Sequence, residues 1–592
     1  MTLSSVRVLF AQTLDVATYD EVEKMVHEIM ELAKKCTPDE LADPACRKPL
    51  STVLLEILCH AQGLAKKYAF TECCGKVDQE RKACFLSQRN STIPPFQEPT
   101  TEEACQAFQN NSVPFMDWYL YEMARSNPTA SIFSLITATL DLKKVFSTCC
   151  NEADKDFCFS AKVAPIKLQL TESSSLQEHI CSIQKTFGKR MVTKLELIQL
   201  SQKFPKADFP TILTLAENVT YIHEICCKDD KPECFLKRAT LTAHICSHQD
   251  AISSKIKGCC EKPRLEQGEC LLTVENEKPA NLPLATTEYI NKTACSLYAD
   301  TQDLYLAQVL YEISRRYPEF SSQSLLRIDE VYEAALEKCC KLDNPTACLA
   351  QRDAEIRLHI YNALEVLKMT CNFQKILINY FFQNLYDVLL DCIAIHGQML
   401  TQWFRFSFGQ LMLLVSFTKK APQLSFEELY QYTKQLTHIA SKCCPEANTS
   451  RLICTETHTA RVLGAICQRH EEHYINKQVG QCCSDSYALR QQCFTDLGVD
   501  QEYAPAPFDP DSYTFPAELC SSNPEDQERN NQMVLVNLLK QNITLSINKL
   551  VDLVVEFTRL KTKCCKTDNQ DECIKSELSE LVEKSKAVLG EN

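Results

Sequence analysis

The residues in this chain with the clearest capacity for covalent chemistry are its 35 cysteines. Eight adjacent pairs recur: Cys73-Cys74, Cys149-Cys150, Cys226-Cys227, Cys259-Cys260, Cys339-Cys340, Cys443-Cys444, Cys482-Cys483 and Cys564-Cys565. One more cysteine follows each pair, at Cys84, Cys158, Cys234, Cys270, Cys348, Cys454, Cys493 and Cys573. No C-x-x-C occurs, so a zinc or thioredoxin-type reading has little support. The chemistry that remains is oxidation to structural disulfides, which form and persist outside the cell. Enzyme signals are thin. His470-Glu-Glu-His473 places its histidines three apart, where a metalloprotease helix needs four to face one metal. No nucleophile elbow, phosphate loop or dinucleotide fingerprint occurs, and 11 glycines could scarcely supply them.

The paired cysteines close amphipathic helices. In Ser324–Cys340, Ile328, Val331, Tyr332, Ala335 and Cys339 fall at helical spacing and predict one apolar stripe. Neighbouring helix positions point about 100° apart, so adjacent cysteines reach toward different partners. Leu550, Leu553, Val554, Phe557, Leu560 and Cys564 repeat the pattern, with Lys561 and Lys563 in the final turn, where cations suit the helix dipole. Glycine lies far below its usual share of about 7%, which leaves few of the turns that hairpins prefer. The expected fold class is all-α.

Spacing organises the cysteines further. From the lone cysteine ahead of a pair to the pair's second member, Cys105 to Cys150 spans 45 residues, Cys181 to Cys227 spans 46, and Cys295 to Cys340 and Cys520 to Cys565 span 45 each. A shorter class, Cys59 to Cys74, Cys246 to Cys260 and Cys467 to Cys483, spans 15, 14 and 16. Sequence alone does not fix connectivity, but these matches leave few alternatives. The first member of each pair then bridges forward: Cys73–Cys84, Cys149–Cys158, Cys226–Cys234, Cys259–Cys270, Cys339–Cys348, Cys443–Cys454, Cys482–Cys493 and Cys564–Cys573. Cys36–Cys46 and Cys371–Cys444 complete 17 bridges and leave Cys392 unpaired. Closing a 45-residue loop constrains the unfolded chain by roughly 4 kcal/mol, though such increments do not simply add.

The order of long and short loops repeats about every 190 residues, giving three homologous domains near 1–176, 177–365 and 366–592. Cys371 to Cys444 spans 73 residues, about 27 more than its counterparts, and the surplus falls near 385–411. Asp387, Asp391, His396 and Arg405 make that stretch a poor membrane span. An extended or looped-out helix and a gene-model artefact are the other readings.

The net charge of −14, with no long basic block, argues against nucleic acid or an anionic membrane as the main partner. Six glycosylation sequons begin at Asn90, Asn110, Asn218, Asn291, Asn448 and Asn542. The segment Met1–Phe10 is too short and too soon interrupted to be a secretory leader. The cysteines outweigh that absence, and the expected location is extracellular.

Double cysteines, three repeats and 17 bridges resemble the serum albumin family, which comprises albumin, alpha-fetoprotein, afamin and vitamin D-binding protein. The resemblance covers nearly the whole chain. Its motifs here are Phe10-Ala-Gln, Ser201-Gln-Lys-Phe-Pro-Lys, Ile245-Cys-Ser-His-Gln-Asp-Ala-Ile, Ser314-Arg-Arg-Tyr-Pro and Thr418-Lys-Lys-Ala-Pro-Gln-Leu. Val479-Gly-Gln-Cys-Cys-Ser-Asp-Ser-Tyr-Ala and Lys586-Ala-Val-Leu-Gly look most like the alpha-fetoprotein branch. Ahead of Phe10 the family's first helix is missing or replaced.

The resemblance implies a secreted, non-enzymatic, monomeric carrier of fatty acids, steroids and other apolar small molecules in plasma. Arg238 matches a headgroup arginine of the second domain, with His223 in the same chamber. Ser321 and Arg327 match a second headgroup site, Tyr119 a tyrosine lining a first-domain pocket, and Tyr380 a third-domain tyrosine. The third domain's arginine-tyrosine pair is Ser416-Phe417 here, which puts that site in doubt. The family's zinc site needs two histidines, an asparagine and an aspartate; the matching positions are Ser51, Lys82, Lys228 and Asp230, so neither that metal nor any cofactor is expected. Two other classes stay open: a scaffold for a lipidated signalling protein or a receptor, and a degenerate relative that binds little.

Overall fold

The computed structural model describes residues 2–352 and 410–589, apart from 15, 37–43, 62, 88–95, 229, 278–293, 412, 444–447, 507–519, 521–522 and 568, together with residues 354 and 358. Cys371, Tyr380, Cys392 and nearly all of 385–411 lie outside the described residues. Among those described, every regular element is helical.

Five 18-residue helices follow one plan: Ile132–Cys149, Phe209–Cys226, Ser322–Cys339, Phe426–Cys443 and Ile547–Cys564. A helix leaves its first backbone N–H groups without partners, and a side-chain oxygen just ahead of it can accept from one of them. Ser131 accepts from Ser134 N at 3.0 Å, Asp208 from Thr211 N at 2.9 Å, Ser321 from Ser324 N at 3.0 Å, Ser425 from Glu428 N at 3.2 Å and Ser546 from Lys549 N at 3.4 Å. Each helix ends on the first member of a cysteine pair, and Cys149, Cys339, Cys443 and Cys564 are wholly buried.

Sixteen of the 17 expected bridges are formed as the spacing predicts. The seventeenth, Cys371–Cys444, lies outside the described residues. The 190-residue period also appears in hydrogen bonds that cysteine arithmetic could not see. The Tyr121 hydroxyl donates to the Ala17 carbonyl, and the Tyr311 hydroxyl to that of Ala207. The Gln12 amide donates to Asn127 O, and the Gln202 amide to Tyr317 O. In both sets the second copy stands 190 residues after the first. The turn Ala207 N to Phe204 O recurs as Leu424 N to Ala421 O, 217 residues on, an offset longer by the surplus near 385–411.

The chain divides into two compact units, Met1–Tyr289 with Leu297–Pro318, and Ile290–Ser296 with Glu319–Asn592. In the first, the helix Leu3–Thr13 is buried from Ser5 to Gln12, so the residues leading to Phe10 are built into the fold. Val6, Val8, Leu9, Phe10 and Ala11 are buried, which surrounds the helix with apolar contacts. Arg7, also buried, is charge-compensated by Glu23 at 2.5 Å and Asp117 at 2.7 Å. The second unit packs Leu414, Leu424, Leu463, Val534 and Phe557 into its core.

One detail departs from the sequence reading, and another adds to it. In Ser322–Cys339 the buried stripe is Ile328, Tyr332, Ala335, Leu336 and Cys339, while Val331 lies on the flank and is 37% exposed. The core covers an arc that takes in Leu336 and leaves Val331 to water. In Ile547–Cys564, Lys561 stands in the final turn, as expected. It is buried, and its Nζ donates to Asn531 Oδ1 at 2.7 Å. Among the described residues no helix is long and apolar enough to cross a membrane.

Candidate ligand-binding sites

Arg238 lies within the helix Lys231–Ser247, whose start is fixed by Asp230 accepting from Glu233 N at 3.2 Å and by Pro232 in the first turn. The long helical stretch Lys155–Lys203 passes beside it and breaks at Gly188, where φ is +78°, a conformation that favours glycine. The break lets one stretch of chain face the same arginine from two helical segments. Gln177, before it, accepts from Arg238 Nη2 at 2.6 Å. Glu196, after it, contributes its charge.

The Arg238 environment is therefore polar but unevenly paired. Burial lowers the guanidinium pKa below its ordinary value, and the carboxylates of Glu196 and Glu269 push it back up. Neither carboxylate takes an Arg238 hydrogen: Glu196 is committed to His223 Nε2 at 3.3 Å, and Glu269 accepts from the Ser134 hydroxyl at 3.3 Å and the Gln169 amide at 3.2 Å. Arg238 Nε is wholly occluded and has no partner among the described residues, and neither has His223 Nδ1. The structure thus brings Arg238 and His223 into one cluster, joined through Glu196.

Ser321 and Arg327 come together in the second unit, with a third party absent from the sequence reading. Glu456, on the helix Asn448–Glu472, is only 9% exposed. Its carboxylate accepts from the hydroxyl of Ser321, from the hydroxyl of Ser324 at 3.0 Å and from Arg327 Nη2 at 2.7 Å. Arg327 Nη1 donates to Ala488 O at 3.2 Å. Nearby, Gln323 donates to the hydroxyl of buried Tyr487 at 3.0 Å, and burial pushes that phenol up to about 12. A signal for Glu456 was present: it lies on the stripe Leu452, Glu456, Ala460, Leu463, an acid where helical spacing calls for an apolar residue.

Tyr119 is 5% exposed and packs in an aromatic cluster. Its ring centroid lies 5.3 Å from Phe96, 5.8 Å from Phe146 and 5.9 Å from Phe115, at edge-on or tilted angles. Burial pushes its phenol pKa up. At the family's zinc position Lys82 Nζ meets Asp230 at 2.6 Å, so an ammonium stands against the aspartate. Among the described residues no cluster of three or more histidine, cysteine or acidic side chains suited to a metal occurs. Of the sequons, Asn110 and Asn218 are exposed and helical, and Asn542 Oδ1 accepts from the Thr544 amide and hydroxyl. Asn90 and Asn291 lie outside the described residues, as does the side chain of Asn448.

The chain was compared with known proteins. A model of the serum albumin family matches residues 2–159, 179–349 and 405–574. Albumin of Gallus gallus is 35% identical over 589 residues, covering 98% of this chain and 91% of the relative. Alpha-fetoprotein of Gallus gallus is also 35% identical, covering 96% and 89%. Afamin of Bos taurus is 34% identical, covering 98% and 92%. Among solved structures, human afamin in an orthorhombic crystal form superposes with a TM-score of 0.80 at 32% identity, covering 97% of this chain and 96% of that one. A second structure, of a gadolinium contrast compound bound to the human plasma glycoprotein afamin, gives 0.68 at 29% identity, covering 93% and 98%. Matched in sequence over 98% of its length and in structure over 97%, the chain belongs to the serum albumin family.

Proposed function

We propose that this protein is a secreted carrier that binds fatty acids, steroids and other apolar small molecules between its helices, with Arg238 as the principal headgroup cation. The observation that carries this reading is the occluded, unpartnered Nε of Arg238, on a guanidinium whose hydrogen bond goes to a neutral amide. A buried donor left unmade is costly, and an arriving carboxylate would satisfy it in a charge-assisted bond. The acyl tail supplies most of the affinity, at about 0.8 kcal/mol for each methylene withdrawn from water. Secretion is supported by the sixteen bridges, which a reducing compartment would not preserve.

The test is calorimetric titration of the full chain with oleate. Arg238→Ala should weaken one site by about 1.5–3 kcal/mol, the range for a hydrogen bond to a charged group. Unchanged affinity at every site, in a variant that melts like the parent, would remove Arg238 from this role. Native mass spectrometry of the protein isolated from serum adds an independent check: co-purifying lipid supports the carrier, and a co-purifying protein favours a scaffold.

A further inference from the structure

We propose that His244 and His248 form a chelating site for a divalent transition-metal ion, Cu2+ above all, at the C-terminal end of the helix Lys231–Ser247. The site goes beyond the carrier reading and stands on other residues.

The two histidines are four apart, the spacing that His470 and His473 lack, so both rings lie on one helix face and can bind one ion. Both residues are exposed, and their ring centroids lie 4.2 Å apart at an interplanar angle of 40°. His248 Nδ1 lies 2.9 Å from the His244 carbonyl oxygen, which can only accept, so that nitrogen carries the hydrogen. The Ser247 hydroxyl, which donates to the same carbonyl at 2.8 Å, accepts from Nδ1 at 2.9 Å. The Nε2 lone pair of His248 is thereby left bare, with the ring held as ligating histidines are held, through its other nitrogen on a backbone carbonyl. His244 makes no ring hydrogen bond among the described residues and can offer either nitrogen.

The backbone beneath the pair is fixed without any ion. His248 N donates to His244 O at 3.1 Å and to Ile245 O at 3.2 Å, and the bridge Cys246–Cys260 fastens the chain between the two histidines. Such presetting limits the ordering cost of binding. The last turn of a helix also carries partial negative charge, which favours a cation.

The ligand set selects the ion. No third histidine, cysteine or acidic side chain completes a cluster here among the described residues. Zinc sites take three or four protein ligands, and two fall short of that. Imidazole suits copper, whose divalent ion binds most strongly in the first-row series and whose tetragonal geometry takes water at the remaining positions. The pair is therefore a site for exchangeable copper, with no resident metal required by the fold.

The experiment titrates the full chain with Cu2+ alone in a non-coordinating buffer and follows it by calorimetry and electron paramagnetic resonance. One Cu2+ bound to the parent should show coupling to two imidazole nitrogens. Losing even a group that only orients a metal ligand typically costs about 10–100-fold, so His244→Ala and His248→Ala should each weaken that ion's binding by at least 10-fold. The double variant should go no further, because one histidine alone no longer chelates. His473→Ala should leave the ion in place. Both side chains of the pair are exposed, so the variants should melt like the parent. Copper binding that survives unchanged in either single variant would overturn the proposal, as would a parent in which no Cu2+ couples to two imidazoles.

Discussion

Arg238 and Arg327 are the two arginines that the sequence offers as headgroup candidates, yet their surroundings differ in one respect that sets what each can do. Arg327 is held by a carboxylate that also collects two serine hydroxyls, so its charge is neutralised inside the fold. Among the described residues Arg238 is hydrogen-bonded to an amide alone, with the nearby acids Glu196 and Glu269 engaged elsewhere. The first arrangement holds helices together, and the second keeps a cation in reserve. Matching a family position therefore identifies an arginine without saying whether its charge is still available.

The largest expected effect breaks the Arg327 arrangement. Arg327→Ala strands Glu456 with two hydroxyls and no cation, and losing one partner of a buried pair costs about 3–5 kcal/mol. Arg327 is itself 28% exposed in its side chain, which places the expectation at the low end, about 3 kcal/mol by denaturant unfolding. Arg238→Ala should do the reverse, lowering oleate affinity while changing stability by about 1 kcal/mol or less, because it removes an incompletely paired buried donor. If both variants lost stability equally and binding equally, the contrast between the two sites would not stand.

A smaller effect compares the units through their helix starts. Glu21 and Glu428 each reach back to the residue capping their own helix, Thr18 and Ser425. Burial raises the Glu21 carboxyl, but hydrogen bonds from Lys67, Thr18 and Tyr68 reverse it and bring it from its ordinary 4.5 to about 2. Glu428 is also raised by burial and then lowered overall by Ser425 and Arg469. A carboxyl depressed in the folded state stabilises fully above its unfolded value and stops doing so as pH falls through its folded value. The Glu21 contribution should fade between pH 4.5 and about 2. Thermal melts should show Glu21→Gln flattening the acid limb in that window. A parallel acid limb in variant and parent would remove Glu21 as a cause.

The smallest effect concerns Lys82 and Asp230, where the family's zinc position holds an ion pair. Lys82→Met should shift stability by about 0–1 kcal/mol. Zinc should leave the melting temperature of parent and variant alike unmoved. A zinc-dependent rise in the parent would mean that this position still holds metal.

Much of the architecture was legible in the chain because its determinants are local. The helix Ser322–Cys339 follows from a capping serine, an apolar stripe and a terminal cysteine pair within twenty-odd residues. The bridges follow because matched loops repeat their lengths, from Cys105–Cys150 to Cys520–Cys565. Val331 was misjudged where a helix's outward and inward faces meet, since spacing gives the period of a stripe but not its exact edge.

Sequence by itself determined the helices and the stapling, because propensity and bridge spacing act over short distances along the chain, while the resemblance to a family offered the candidate arginines. Only the tertiary structure decided which arginine keeps its charge in reserve. Arg327 meets Glu456 across 129 residues, and Arg238 meets Gln177 across 61. Ion pairing depends on what packing brings within about 4 Å, and an acid on a buried stripe acquires its role only when another helix delivers the cation.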